Sequence, residues 1–373
     1  MIEKLGNFLK TPVVFEEISL FSVPLKMKQE FEISTGKISS RKVLVVRLRS
    51  EGYSGYGEIP VLLHPIYSGE FYDASVGFVR IVKDITEGRK FSLLDLHNLL
   101  QGFRGNNFAK SGIEYAFWHL LFQITGKSIF EMIKPAKSRF RLQLSIGIGS
   151  LDDIAARVQW AYSQGIDAIK LKIKPGWSKT PVEFVLKNFS PAFISVDANG
   201  SFDPFNPQHI DELREIADMV DEIEQPFKPP LIYKHATFSK SVKAAVSLDE
   251  SIEKVEDYLE ASELFPVVVN IKPPRIGGLL NSLKLVEEIN KMGHQAFIGG
   301  MLETTWGRVQ NMIVASLPSV CDRFPGDFSP ADEFYHDDLA EPGFKIKNGH
   351  IEIVEPGEIH FKENLLKSSF KVV

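Results

Sequence analysis

The chain has 373 residues, 44% hydrophobic and 24% charged, which is the composition of an ordinary globular protein longer than one typical domain. A net charge of −5 and a pI near 6.0 give no electrostatic case for nucleic acid or an anionic membrane as a partner. No run approaches the roughly 20 apolar residues of a membrane span, and the N-terminus lacks the apolar core of a signal peptide. The single cysteine, Cys321, excludes an intrachain disulfide and fits a reducing compartment, so a cytoplasmic protein is expected.

In chain order, residues 13–60 read as strands and turns, with a hairpin predicted around Glu51-Gly52. The polar stretch KMKQEFEISTGKISSR, carrying Gly36, is predicted as a loop of about a dozen residues, long enough to suggest a functional role. From Ala74 to about Lys134 apolar residues recur at helical spacing. In SGIEYAFWHLLFQITG, Ser111 is the expected N-cap, Gly126 the expected stop, and His119 a core histidine. RLQLSIGIGS then begins an alternation of strand and helix that marks a parallel α/β sheet. A dinucleotide fingerprint is not expected there, because Asp152 stands where its third glycine belongs. VCDRF is a candidate eighth strand, and FKIKNGHIEIVEPG a hairpin about Asn348-Gly349 that is expected to return to the N-terminal domain.

Six apolar runs between Ile169 and Met301 each end in a residue able to do chemistry, namely Lys172, Asp197, Glu224, Asp249, Lys272 and Gly300. These lie 23 to 28 residues apart, the interval of one strand plus one covering helix. Strand ends of a parallel barrel share one mouth, so the side chains are expected to converge there. Three carboxylates at one mouth repel one another unless a cation lies between them. All-oxygen ligation without His or Cys favours Mg²⁺, with Mn²⁺ or Ca²⁺ possible, over Zn²⁺. Lys170 and Lys172 share a face of one strand, and Lys272 ends another on the far side. A lysine beside a dication can serve as a general base that removes a proton α to a metal-bound carboxylate. No G-x-S-x-G, Walker A, H-E-x-x-H or C-x-x-C motif competes with this reading.

The series Lys170, Lys172, Asp197, Glu224, Asp249 and Lys272 resembles the muconate-lactonizing subgroup of the enolase superfamily, whose sites pair a Lys or His base with Mg²⁺. Within it, FEISTGK, YGEIPVLLHPIYSGEF, AKSGIEYAFWHLL, NIKPPRIGG, IGGMLETTWGR and FPGDFSPADEFYHDDL are similar to the o-succinylbenzoate synthase and N-succinylamino acid racemase family. The resemblance implies an α/β enolase-type fold of two domains. Its expected parts are an α+β cap over residues 1–138, a modified (β/α)7β TIM-like barrel over 139–330, and a segment 331–373 returning to the cap.

It also implies roles. Lys172 would be the base, Lys272 the group on the opposite face and Lys170 a support, while Asp197, Glu224 and Asp249 would hold Mg²⁺. Ser145, Gly300 and Met301 would shape the substrate pocket, Phe31 and Ser34 would belong to a loop closing over it, and Asn199 and Arg275 would be further substrate contacts. Two departures, Pro274 and Thr305-Trp306, are expected at the pocket rim and put substrate range in question. The implied activity is o-succinylbenzoate synthase, acting on a small carboxylate in menaquinone biosynthesis, with N-succinylamino acid racemase as the alternative. A muconate-cycloisomerase-like enzyme and a non-catalytic carboxylate-binding barrel are weaker readings.

Overall fold

Period-two alternation near the start of the chain builds an antiparallel sheet. In the computed structural model, which describes residues 1–33 and 36–373, strands β1 (Glu17–Ile33), β2 (Gly36–Ser50) and β3 (Tyr53–Ile59) lie side by side. The β2–β3 turn falls at Glu51-Gly52, with φ of 51° and 83°, the left-handed pair that a two-residue hairpin needs. The stretch predicted as a polar loop is strand on both sides instead. β1 and β2 stay paired out to Ile33 and Gly36, with a register shift between Lys26 and Phe31. Leu25, Met27, Phe31 and Ile33 keep the period of two there, while charged residues hide it by filling the alternate positions. Ser34 lies outside the described residues, as does the side chain of Phe31.

Helices α1 (Tyr72–Thr86), α2 (Leu93–Gln101) and α3 (Asn107–Thr125) follow, with α3 packed across β2 and β3. α3 starts a full turn before Ser111, which is buried inside it and donates to Gln310 Oε1 at 3.3 Å. It stops at Gly126, where φ is 65°. His119 is satisfied as a core histidine, its Nδ1 accepting the Tyr56 N–H at 3.1 Å.

The barrel begins with β4 (Leu144–Ile146), α4 (Leu151–Ser163), β5 (Ala168–Lys172), α5 (Lys179–Asn188) and β6 (Phe193–Asp197). It continues through α6 (Pro207–Ala217), β7 (Glu222–Glu224), α7 (Ile232–Ser239), β8 (Ala245–Leu248) and α8 (Val255–Ser262). β9 (Val268–Ile271), α9 (Leu279–Met292), β10 (Gln295–Ile298) and α10 (Thr305–Ala315) complete it. The seven strands form one parallel sheet in chain order, as successive βα units do. VCDRF does not form the eighth strand. The segment makes one parallel bridge to β10 at Ala296–Val320, and Gly326, two residues past its end, makes another to Leu142 just before β4. Left-handed φ values of 62° at Ser319 and 54° at Cys321 interrupt any longer extension.

The tail hairpin, β11 (Ile346–Lys347) and β12 (His350–Glu352), turns at Asn348-Gly349 as expected. It pairs with Arg139–Arg141 at the start of the barrel rather than with the N-terminal sheet. Gly349 lies so close to Gly165 that an added Cβ would sit 2.1 Å from the Gly165 carbonyl oxygen. The last strand, β13 (Phe370–Lys371), pairs with β1 at Phe21 and Ser22, and Tyr335 makes an antiparallel bridge to Met27 of the same strand. Among the described residues no helix is long and apolar enough to cross a membrane.

Candidate active site

Parallel pairing sets the site. Lys172, Asp197, Glu224 and Ser247 occupy one register row across β5 to β8, so the first three share one level of the barrel. The chain continues past β8 into Asp249 and past β9 into Lys272. A cavity of about 960 Å³ opens over these strand ends. Among the predicted residues, Lys172, Asp197, Asn199, Glu224 and Lys272 line it. Ser145, Arg275, Gly300 and Met301 line it as well. Lys170 and Asp249, both fully buried, stand one layer behind.

Each acid is turned to its own cation. Lys172 Nζ donates to Asp197 Oδ2 at 2.5 Å and to Asn199 Oδ1 at 2.9 Å. Lys170 Nζ donates to Glu224 Oε2 at 2.6 Å and lies 3.0 Å from Asp327 Oδ2, while Asn270 Nδ2 donates to Glu224 Oε1 at 2.6 Å. Lys272 Nζ donates to Asp249 Oδ2 at 2.8 Å and to the Tyr67 hydroxyl at 3.3 Å. Arg275 Nη1 pairs with Asp249 Oδ1. Its Nε and Nη2 donate to the carbonyls of Ile252 and Asn270 at 2.9 and 2.5 Å. Arg275 thus holds Asp249 and two backbone carbonyls while also lining the cavity.

These pairings decide charge. Burial alone would push the Asp197 carboxyl up, but Lys172 and Lys170 outweigh it and hold it below the usual range. Burial disfavours the Lys272 ammonium, yet Tyr67 and the carboxylates of Glu250, Glu224 and Asp197 more than offset that and raise it. Lys170 is raised in the same way, burial being outweighed by Asp327 and Glu224. Glu222, beneath Glu224, is pushed up to about 8, first by burial and then by the Glu224 charge.

In this arrangement no group of three or more His, Cys, Asp or Glu side chains among the described residues gathers to hold a metal ion. The donor set nonetheless suits a hard dication. It consists of oxygens alone, and ammonium or guanidinium groups already mark where positive charge is drawn to Asp197, Glu224 and Asp249.

Sequence reasoning missed four residues here: Tyr67, Asn270, Asp327 and Glu250. Asn270 sits on β9 two residues before Lys272, whose backbone is still extended, and so shares its face, a signal that was available. Tyr67 enters from the segment between β3 and α1, and nothing in its local sequence points to the barrel. Asn199 takes a left-handed φ of 43° and bridges to Glu250 Oε1 at 3.0 Å. Gly299 is needed because a Cβ there would lie 2.3 Å from Asn270 Oδ1 and 2.7 Å from Lys272 Cε. Pro274 and Trp306 are not among the residues lining this cavity. Trp306 instead walls a second cavity of about 390 Å³ and donates Nε1–H to the Tyr56 carbonyl at 3.0 Å, so neither departure stands at the substrate rim.

A parallel barrel under an antiparallel cap, with lysines and carboxylates alternating around its mouth, defines an enolase-type barrel. Residues 153–357 match the family model for enolase C-terminal domain-like proteins. The chain is 30% identical over 351 residues to o-succinylbenzoate synthase of Bacillus subtilis, covering 92% of this chain and 93% of that one. It is 31% identical over 347 residues to N-succinylamino acid racemase of Thermus thermophilus, covering 91% of each. The crystal structure of an enolase superfamily member from Listeria innocua superposes with a TM-score of 0.87 at 26% identity, covering 97% of this chain and all of that one. The chain belongs to the enolase superfamily, within the o-succinylbenzoate synthase and N-succinylamino acid racemase family.

Proposed function

We propose that the chain is an o-succinylbenzoate synthase, which dehydrates 2-succinyl-6-hydroxy-2,4-cyclohexadiene-1-carboxylate to o-succinylbenzoate on the route to menaquinone. One observation carries the reading. Lys172 and Lys272, from separate strands, reach the same cavity with Asp197 and Glu224 also on its wall. Asp197, Glu224 and Asp249 would hold Mg²⁺, or Mn²⁺. When bound, the ion supplies Lewis-acid stabilisation of the negative charge that develops on the substrate carboxylate.

The chain's own groups do the rest. Lys172 takes the proton α to the ring carboxylate, for which its amine must part from Asp197. The same proton then leaves with the departing hydroxyl as water, so one C–H and one C–O bond break and the ring becomes aromatic. Lys272, kept positively charged by its acidic surroundings, offsets the negative charge on the opposite side. Lys170, bridged between Glu224 and Asp327, fixes the Glu224 carboxylate. The cap, residues 1–138 with the returning tail 331–373, would enclose the barrel 139–330; Tyr67 reaching Lys272 supports that division of labour. We place the enzyme in the cytoplasm, in keeping with its one, buried, cysteine.

N-succinylamino acid racemase is the second reading, favoured by the lysine on each side and by the Thermus thermophilus relative. Initial rates with the cyclohexadiene substrate and with N-succinyl-phenylalanine, each with Mg²⁺, separate the two. The proposal requires the dehydration to proceed. Turnover of N-succinyl-phenylalanine alone would replace it by the racemase, and turnover of neither would reject both.

A further inference from the structure

The proposed substrate carries two carboxylates, and the lysine and acid ring accounts for one. The second needs a cation elsewhere on the cavity wall. Arg308, on the first turns of α10, lines the cavity and is 1% exposed. Of its nitrogens, Nε donates to the Glu303 carbonyl at 3.1 Å, while Nη1 is buried without any hydrogen-bond partner among the described residues. Nη2 approaches Glu303 Oε2 no closer than 3.9 Å, too long for a hydrogen bond. A buried guanidinium left this way costs stability unless an acceptor reaches it. Phe328 and Phe334 flank its plane, at 5.2 and 5.6 Å from the ring centroids, and hold the fork in one orientation.

What leaves Arg308 open to the cavity is the absence of a side chain at Gly300. A Cβ there would meet Arg308 Nη1 at 3.3 Å and Nη2 at 3.5 Å, and Glu303 Oε2 at 3.3 Å. The surrounding charge favours an anion despite Glu303. Glu303 Oε2 already accepts the Met301 N–H at 2.8 Å. Arg41, buried nearby, has all three side-chain nitrogens without a partner among the described residues, and Glu58, the other acid of the group, is raised to about 7 by burial and is only partly ionised at neutral pH. Among the described residues behind this wall of the cavity, the unpartnered buried nitrogens of Arg308 and Arg41 outnumber the one unpartnered acceptor, Glu303 Oε1.

We propose that Arg308, reached through the gap at Gly300, reads the distal carboxylate of the substrate and sets the preference for succinyl over uncharged acyl groups. This rests on the reading above, but its test does not need turnover. Calorimetry in the presence of Mg²⁺ compares o-succinylbenzoate with 2-butanoylbenzoate, which keeps the ring carboxylate and the ketone and lacks the distal carboxylate. The wild-type protein should bind o-succinylbenzoate at least about ten-fold more tightly. R308M should bring the two affinities within about two-fold, R308K should restore part of the difference, and G300A, which leaves every charge in place, should also erase it. Equal binding of both ligands by the wild type, or discrimination kept by R308M and G300A, would overturn the assignment. Parallel loss of both ligands in R308M with discrimination kept in G300A would reduce Arg308 to a structural role. If discrimination holds but neither proposed substrate turns over, the reaction is wrong and the carboxylate reader stands.

Discussion

Glu58 offers a quantitative test of how the cap is fastened to the barrel. It sits on β3, fully buried, and its carboxylate accepts Thr304 Oγ1–H at 2.5 Å, Thr304 N–H at 3.1 Å and Gly307 N–H at 3.0 Å at the start of α10. Burial raises its pKa from 4.5 to about 7, the Thr304 hydrogen bonds opposing and Glu303 reinforcing the shift. Below pH 4.5 both folded and unfolded forms are protonated and nothing is lost. As pH rises from there to 7, the unfolded chain releases the proton while the folded one keeps it, so stability falls. At about 1.4 kcal/mol per pH unit the loss approaches about 3 kcal/mol and is complete above the folded pKa. E58Q cannot ionise and should lack this slope. The measurement is urea unfolding of wild type and E58Q from pH 5 to 8.5, taken as a difference so that other groups cancel. A difference that stays flat, or that moves in favour of the wild type as pH rises, would refute the argument.

Three further outcomes follow from the geometry. E224Q should weaken Mg²⁺ binding by at least about ten-fold in calorimetry, since it removes one acid and disturbs the Lys170 pairing that orients it; unchanged affinity would remove Glu224 from the metal set. K272M should lower kcat by about 100-fold with a smaller effect on KM, as expected for charge stabilisation felt chiefly at the transition state, and an effect confined to KM would contradict this. G349A should destabilise the fold by about 2–4 kcal/mol in thermal or urea unfolding, from its left-handed backbone and the contact with Gly165. Stability within about 0.5 kcal/mol of wild type would mean the tail hairpin is not clamped there.

Much of the site was legible because its side chains ride on parallel strands. A strand-plus-helix period of fixed length carries Lys172, Asp197, Glu224 and Lys272 to one rim, with Asp249 one layer behind, wherever the helices lie. The same logic could not see Tyr67, which arrives from the cap through a tertiary contact with no local pattern. Arg275 shows a different limit. Its charge was visible, but its commitment to Asp249 and two backbone carbonyls depends on the turn after Lys272, and only coordinates reveal it. The loop expected around Gly36 is strand, and Gln29 with the flanking charges masks the apolar alternation in the sequence that would have announced it. The eighth strand failed for a backbone reason, the two left-handed residues Ser319 and Cys321, which residue type does not announce. Trp306 looked like a pocket residue from its motif and instead packs against Tyr115, His119 and Phe361 beneath the cap.

The account stands on Lys172 acting as base beside a dication held by Asp197, Glu224 and Asp249. Its most direct test is the initial rate of o-succinylbenzoate formation, followed by absorbance, for the wild type with Mg²⁺, the wild type with excess chelator, and K172A with Mg²⁺. The account predicts turnover in the first case alone, with K172A still binding Mg²⁺ in a parallel titration. A K172A rate within about ten-fold of the wild type, or undiminished turnover under chelation, would contradict it.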